Sequence, residues 1–169
     1  LADCYFQLLD YEKSINNYKE FLEIPSNSLL DKIALAKYNL AYSYFQSNQH
    51  SLSAKYFQKA INSNLDKLRE NDSFLRMADS YYMISDFTNA RKNYIKASNI
   101  ALFDEDYALY QQAKCSGLLS DYKHQEKVLL KIEKNFRNSP YVPKSLLDLA
   151  NLYKNINESD KALNYYDKI

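Results

Sequence analysis

The 169-residue sequence predicts an all-α solenoid of stacked antiparallel helix hairpins, and three observations lead there. Composition is the first. One Gly and three Pro leave little of the turn chemistry that β-hairpins and phosphate-cradling loops require. Val stands only at 128 and 142 and Thr only at 88, which starves a sheet of its preferred β-branched residues. Apolar spacing is the second: within each segment the apolar positions recur at three and four, the face of an amphipathic helix. The third is an internal repeat.

Ala2/Tyr5 opens the first unit, and Tyr11-Ser14-Tyr18-Phe21 supplies its second helix. The next unit has Ala41/Tyr44, then His50-Ser53-Phe57-Ala60 beyond the polar turn Ser47-Asn48-Gln49. The third has Ala78/Tyr81 and Phe87-Ala90-Tyr94-Ala97, joined at Ser85-Asp86. In the fourth, Ala113 is followed by Ser116 where the others have Tyr; Tyr122-Gln125-Leu129-Ile132 comes after Ser120-Asp121. The fifth has Ala150/Tyr153 and Ser159-Ala162-Tyr166-Ile169, joined at Asn157-Glu158. From the small residue to the last member the distance is 19 positions in every unit (Ala2 to Phe21, Ala150 to Ile169), whereas the step between units varies. The turns inside the units are too short for anything but antiparallel helices. Ser139-Pro140 is expected to cap the fifth unit's first helix, and Pro25 to close the helix before it. The expected units span 1–26 (partial), 29–64, 67–102, 104–138 and 140–169 (partial).

The bulky-Leu-small-Tyr cores Asn39-Leu40-Ala41-Tyr44, Phe74-Met77-Ala78-Tyr81 and Leu146-Leu149-Ala150-Tyr153, with Ala90-Tyr94-Ala97 in a second helix, resemble the tetratricopeptide repeat. The resemblance covers the whole chain and implies a right-handed superhelix that binds a protein or peptide and has no enzymatic activity. A regulatory or sensor module of a larger protein is the alternative it leaves open. The run Asn135–Leu146, with its two prolines, is also similar to a junction in bacterial cell-envelope members of the family. That implies an envelope or periplasmic location, with the cytoplasm as the other expectation.

The remaining chemistry is sparse. The chain carries 22 basic and 21 acidic side chains, too even for a general nucleic-acid or membrane binder, and no stretch is long and apolar enough for a transmembrane helix. No nucleic-acid partner, membrane insertion, metal or cofactor is expected. His50 and His124 lie in equivalent second helices of different units, too far apart to share a metal, and His50 takes a packing slot held elsewhere by Tyr or Phe. Asp104-Glu105-Asp106 suits a helix N-terminus. Cys4 and Cys115 are three units apart, roughly 50–60 Å by helix spacing, so no internal disulfide is expected. Lys123, Lys127, Lys131, Lys134 and Arg137 form a basic stripe, interrupted by Glu126 and Glu133. On the family's outer wall it is expected to be solvated, with an acidic partner as the alternative.

The resemblance places the concave groove on the first helices. Its expected partner-binding residues are Tyr38, Asn39, Tyr42, Phe45, Arg76, Asp79, Tyr82, Tyr110, Gln111, Lys114, Asn151 and Lys154, with Asp3, Phe6, Leu75, Gly117, Leu147 and Asp148 in the same positions. Tyr gives such a surface large contact area at low entropic cost. The chain starts at Leu1 without Met and reads as part of a longer protein. Leu1, Leu8 and Leu9, like Tyr166 and Ile169, are core-type positions that further repeats would cover, so end-to-end self-association is expected in isolation. In the fourth unit, Gln125 is expected to fill the space beside Ser116, and Gly117 to leave a notch in the groove.

Overall fold

The computed structural model describes residues 1–25 and 30–169, so the expected repeat boundaries at 26 and 29 lie outside the described residues. The described residues hold ten α-helices and no strand: α1 (Ala2–Gln7), α2 (Tyr11–Glu23), α3 (Leu30–Gln46), α4 (His50–Ile61), α5 (Lys67–Met83), α6 (Phe87–Ile100), α7 (Glu105–Leu118), α8 (Tyr122–Asn135), α9 (Val142–Asn155) and α10 (Ser159–Tyr166). They fall into two compact units, Leu1–Asn93 and Tyr94–Ile169.

Five turns share one design. The residue seven after the repeat's small Ala adopts a left-handed conformation in each: Leu9, Asn48, Ser85, Ser120 and Asn157, with φ between 59° and 63°. The next N–H bonds back to the carbonyl five residues earlier: Asp10 to Tyr5, Gln49 to Tyr44, Asp86 to Tyr81, Asp121 to Ser116 and Glu158 to Tyr153, at 2.8–2.9 Å. This is the Schellman closure that glycine usually provides. Here Asn, Ser and Leu take the strained position, and so a chain with one Gly turns five times. In three of the five the residue donating that bond also caps the following helix: the carboxylates of Asp10, Asp86 and Asp121 accept from the N–H of Lys13, Asn89 and His124. Asp10 is held below the usual carboxylate range by Lys13, and Asp66, which caps α5, by Arg69.

In the first unit, Ile15, Tyr18, Ala36, Leu40 and Tyr44 make one buried cluster, with Phe21, Leu22 and Tyr56 packed on it. Leu40, Ala41, Phe57, Ala60 and Leu75 have no solvent exposure. Repeats here are also joined by buried serine pairs: Ser14 Oγ to Ser43 Oγ at 3.0 Å, and Ser53 Oγ to Ser80 Oγ at 3.1 Å. Ser43 and Ser80 also donate to the carbonyls of Asn39 and Arg76, so the hydroxyls are satisfied without water. The second unit replaces this with an apolar cluster of Leu109, Ala113, Val128, Leu129, Ile132, Leu149, Tyr153 and Ala162.

Three expectations need correction. α9 begins at Val142, with Pro143 in its first turn. Ser139 Oγ accepts from the N–H of Tyr141 in the preceding turn and is not the helix cap. Leu75, expected on the groove, is fully buried. The notch at Gly117 is filled: a Cβ built there would stand 2.7 Å from Gln125 Nε2 and 3.0 Å from its Cδ. Ser116 is fully buried and donates to the carbonyl of Gln112.

Candidate functional site

Three of the expected groove residues in the first unit converge on a residue that the expected set leaves out, and a fourth, Asp79, joins them through Arg76. Asp72, on α5, accepts from the hydroxyls of Tyr38 (2.7 Å) and Tyr42, both on α3. Arg76, one turn along α5, pairs with Asp72 through Nε at 3.4 Å and with Asp79 through its guanidinium. The rings of Tyr38 and Tyr42 meet edge-to-face at 5.1 Å, and both lie edge-to-face against buried Phe57 at 6.0 and 5.2 Å. Burial, with the Asp72 carboxylate next to it, pushes both phenols well above their ordinary range. The hydroxyls of Tyr38 and Tyr42 are therefore engaged with α5.

Asn39 is held differently. Its side-chain N–H donates to Asp3 at 3.1 Å, and the Tyr18 hydroxyl donates to the same carboxylate. Asp3, Tyr18 and Asn39 line a cleft of about 480 Å³ that also includes Phe21, Leu35 and Ala36. Phe45 and Tyr82 occupy one equivalent position and share one role. Each packs edge-to-face on the first residue of the next helix, Phe45 on His50 at 5.5 Å and Tyr82 on Phe87 at 5.4 Å, as Phe6 does on Tyr11 at 5.6 Å. These contacts staple the two helices beside each turn.

In the second unit, Tyr110 stacks on Tyr141 at 5.2 Å and hydrogen-bonds Asp148. Burial raises the Asp148 carboxyl, and the Tyr110 hydrogen bond and the Lys114 charge partly oppose that rise. Asn151 Oδ1 accepts from the Tyr166 hydroxyl at 2.8 Å. Gln111 Oε1 is buried without a hydrogen-bond partner, and Lys154 is exposed.

Sequence reasoning missed one carboxylate, Asp72. Asp72, Arg76 and Asp79 sit at helical spacing, so a shared face on α5 was readable. That α3 would deliver two hydroxyls to that face was not. Chemically, these are sites of fixed rings and neutralised charge. Among the described residues no cluster of three or more His, Cys, Asp or Glu is placed to hold a metal ion. His124 Nε2 is hydrogen-bonded at 2.6 Å to the side-chain amide of buried Gln112, within one hairpin. No helix of the described residues is long and apolar enough to cross a membrane.

The fold and these sites define a protein built of repeated helix hairpins. The tetratricopeptide repeat family matches residues 34–67 and 143–169. Among solved structures, the chain is similar to YrrB, described as a tetratricopeptide protein with an unusual peptide-binding site. The match has TM-score 0.76 and 17% identity, covering 99% of this chain and 80% of that one. It is similar to MamA with TM-score 0.78 and 16% identity, covering 99% and 91%. It is also similar to a plasmid-encoded Rap conjugation gene regulator in complex with a Phr peptide, with TM-score 0.55 and 18% identity. The chain spans 49% of that regulator. No curated protein matches by sequence. The chain thus carries tetratricopeptide repeats in these two segments, on a fold shared with those solved structures.

Proposed function

We propose that the chain is a non-enzymatic protein–protein interaction scaffold that takes a peptide or partner segment on the tyrosine-rich inner wall of its first helices. One observation carries this reading. On consecutive first helices, Tyr38, Tyr42, Arg76 and Asp79 are locked around Asp72, so their surface is ordered before a partner arrives. Preorganised rings spare binding the entropic cost of fixing them. The peptide-bound Rap regulator and peptide-binding YrrB support the same class of ligand.

The test is selection of peptides by display on the whole chain, followed by affinity measurement against Tyr42→Ala/Tyr82→Ala. At least a tenfold loss is expected, about 1.4 kcal/mol, in a variant whose circular dichroism still reports folded helix. Unchanged affinity in the folded variant would move the binding surface off this wall.

A further inference from the structure

Read along the sequence, the basic stripe of α8 is diluted by Glu126 and Glu133. The structure separates the two signs. Glu126 accepts from the Tyr153 hydroxyl at 2.5 Å. Glu133 faces the Tyr165 hydroxyl at 3.5 Å and binds Lys168 Nζ at 2.7 Å. Both acids are thus committed to α9 and the α10 end, on one flank of α8. On the other flank, Lys131 pairs with Glu105 at 2.9 Å, and Asp106 accepts from Ser139.

Lys123, Lys127, Lys134 and Arg137 remain between them, all exposed and none paired with a carboxylate among the described residues. At 3.6 residues per turn Lys123, Lys127 and Lys134 fall within a quarter of the helix circumference and span about 17 Å, and Arg137 follows two residues past the end of α8. Half-buried Leu130 lies in the same arc.

Helix electrostatics accounts for only part of this arrangement. Lys134 sits in the last turn, where the dipole favours cations, and Arg137 lies just beyond it. Lys123 sits in the first turn, where the dipole disfavours them, and that turn holds no acidic residue. Lys123 and Lys127 are also a like-charged pair one turn apart, which weakens a helix. A row of charge kept against local stability fits a surface that meets an opposite charge.

We infer that this face of α8 is a second docking surface, for an acidic polypeptide segment. Its width selects that partner. Glu105 and Asp106 on one side and Glu126 and Glu133 on the other confine the positive strip to about one helix diameter, ~10 Å. A single chain bearing carboxylates fits between these acids, whereas a nucleic-acid duplex or a bilayer plane would also meet the acids. The strip's cations are mainly lysines, compact charges without the planar fork that arginine offers to phosphate.

The experiment is fluorescence anisotropy of a labelled oligoglutamate peptide with the whole chain. A single-stranded oligouridylate and phosphatidylserine-containing vesicles serve as competing probes. Oligoglutamate is expected to bind with an affinity that falls as salt rises, and more tightly than either probe. Lys123→Gln/Lys127→Gln/Lys134→Gln/Arg137→Gln is expected to weaken it at least tenfold, whereas Lys19→Gln/Lys55→Gln/Lys92→Gln leaves it unchanged. If the fourfold variant does not fold, Lys127→Gln/Lys134→Gln is expected to show a smaller loss of the same sign. No binding to oligoglutamate, an equal loss in the control variant, or tighter binding to oligouridylate or vesicles would overturn the proposal.

Discussion

Gly117→Ala isolates the compensation between two unusual residues of the fourth repeat. In a helix interior, Ala in place of Gly is worth about 1 kcal/mol of added stability. At this position the new methyl would stand 2.7 Å from Gln125 Nε2 and 3.0 Å from Cδ and Oε1, inside van der Waals contact. What it meets is the far end of a flexible side chain, so Gln125 swings away and loses its packing. That loss is of the same order as the propensity gain, and Gly117→Ala alone is expected to change stability by less than about 0.5 kcal/mol. In a Gln125→Ala background the obstacle is gone, and position 125 matches the small Ala90 and Ala162 of other repeats. There Gly117→Ala is expected to recover the full ~1 kcal/mol. Urea unfolding of the wild type, both single variants and the double variant, followed by circular dichroism, yields the coupling as a double-mutant cycle. A gain of about 1 kcal/mol in both backgrounds would refute the reasoning. It would mean that Gln125 does not depend on the missing methyl.

Three further predictions concern the turns and the titratable groups. Ser85→Gly, at a left-handed position, is expected to stabilise by about 0.5–1 kcal/mol and raise the urea midpoint, while Ala90→Gly in the adjoining helix lowers it. Tyr18, Tyr38, Tyr42 and Tyr153 have phenols raised by burial, so the folded state keeps protons that the unfolded state releases. Their contribution to stability should therefore be constant up to about pH 10 and fall above it, by about 1.4 kcal/mol per pH unit for each such tyrosine. Melting temperatures between pH 8 and 11 check this, and Asp72→Asn, which removes a charge opposing tyrosinate, should bring the absorbance titration of Tyr38 and Tyr42 to lower pH. Asp148 has the same sign at acid pH. Its raised carboxyl binds a proton more readily when folded, so its contribution favours the fold below pH 3.8 and declines as pH rises through the folded value. Asp148→Asn should flatten that part of the profile, and an unchanged slope would count against burial as the cause.

The repeat register was readable because it depends on short-range rules. Helical periodicity, a small residue against an aromatic, and a polar turn at a constant offset all act within one hairpin. The turn positions at Asn48, Ser85, Ser120 and Asn157 follow from that offset, and Leu9 joins them although nothing in its side chain favours the conformation. The start of α9 was misplaced because Ser139 and Tyr141 compete for the same turn, and a serine that caps a helix looks identical in sequence to one that closes the turn before it. Leu75 was assigned outward by register, but it is fully buried.

The helices, their pairing and the existence of an aromatic first-helix face are properties of the sequence alone, because each is decided by neighbours within about 20 residues. Which charges and hydroxyls remain available is decided only by the tertiary structure. Asp72 is an ordinary surface acid in sequence and collects two tyrosines 34 and 30 positions away. Glu126 and Glu133 read as interruptions of a basic stripe and are turned aside by Tyr153 and Lys168, 27 and 35 positions away. The physical reason is reach. Apolar burial follows the periodicity of the local helix, whereas a polar side chain takes whichever partner the next repeat brings within hydrogen-bonding distance, and that partner is set by how hairpins stack.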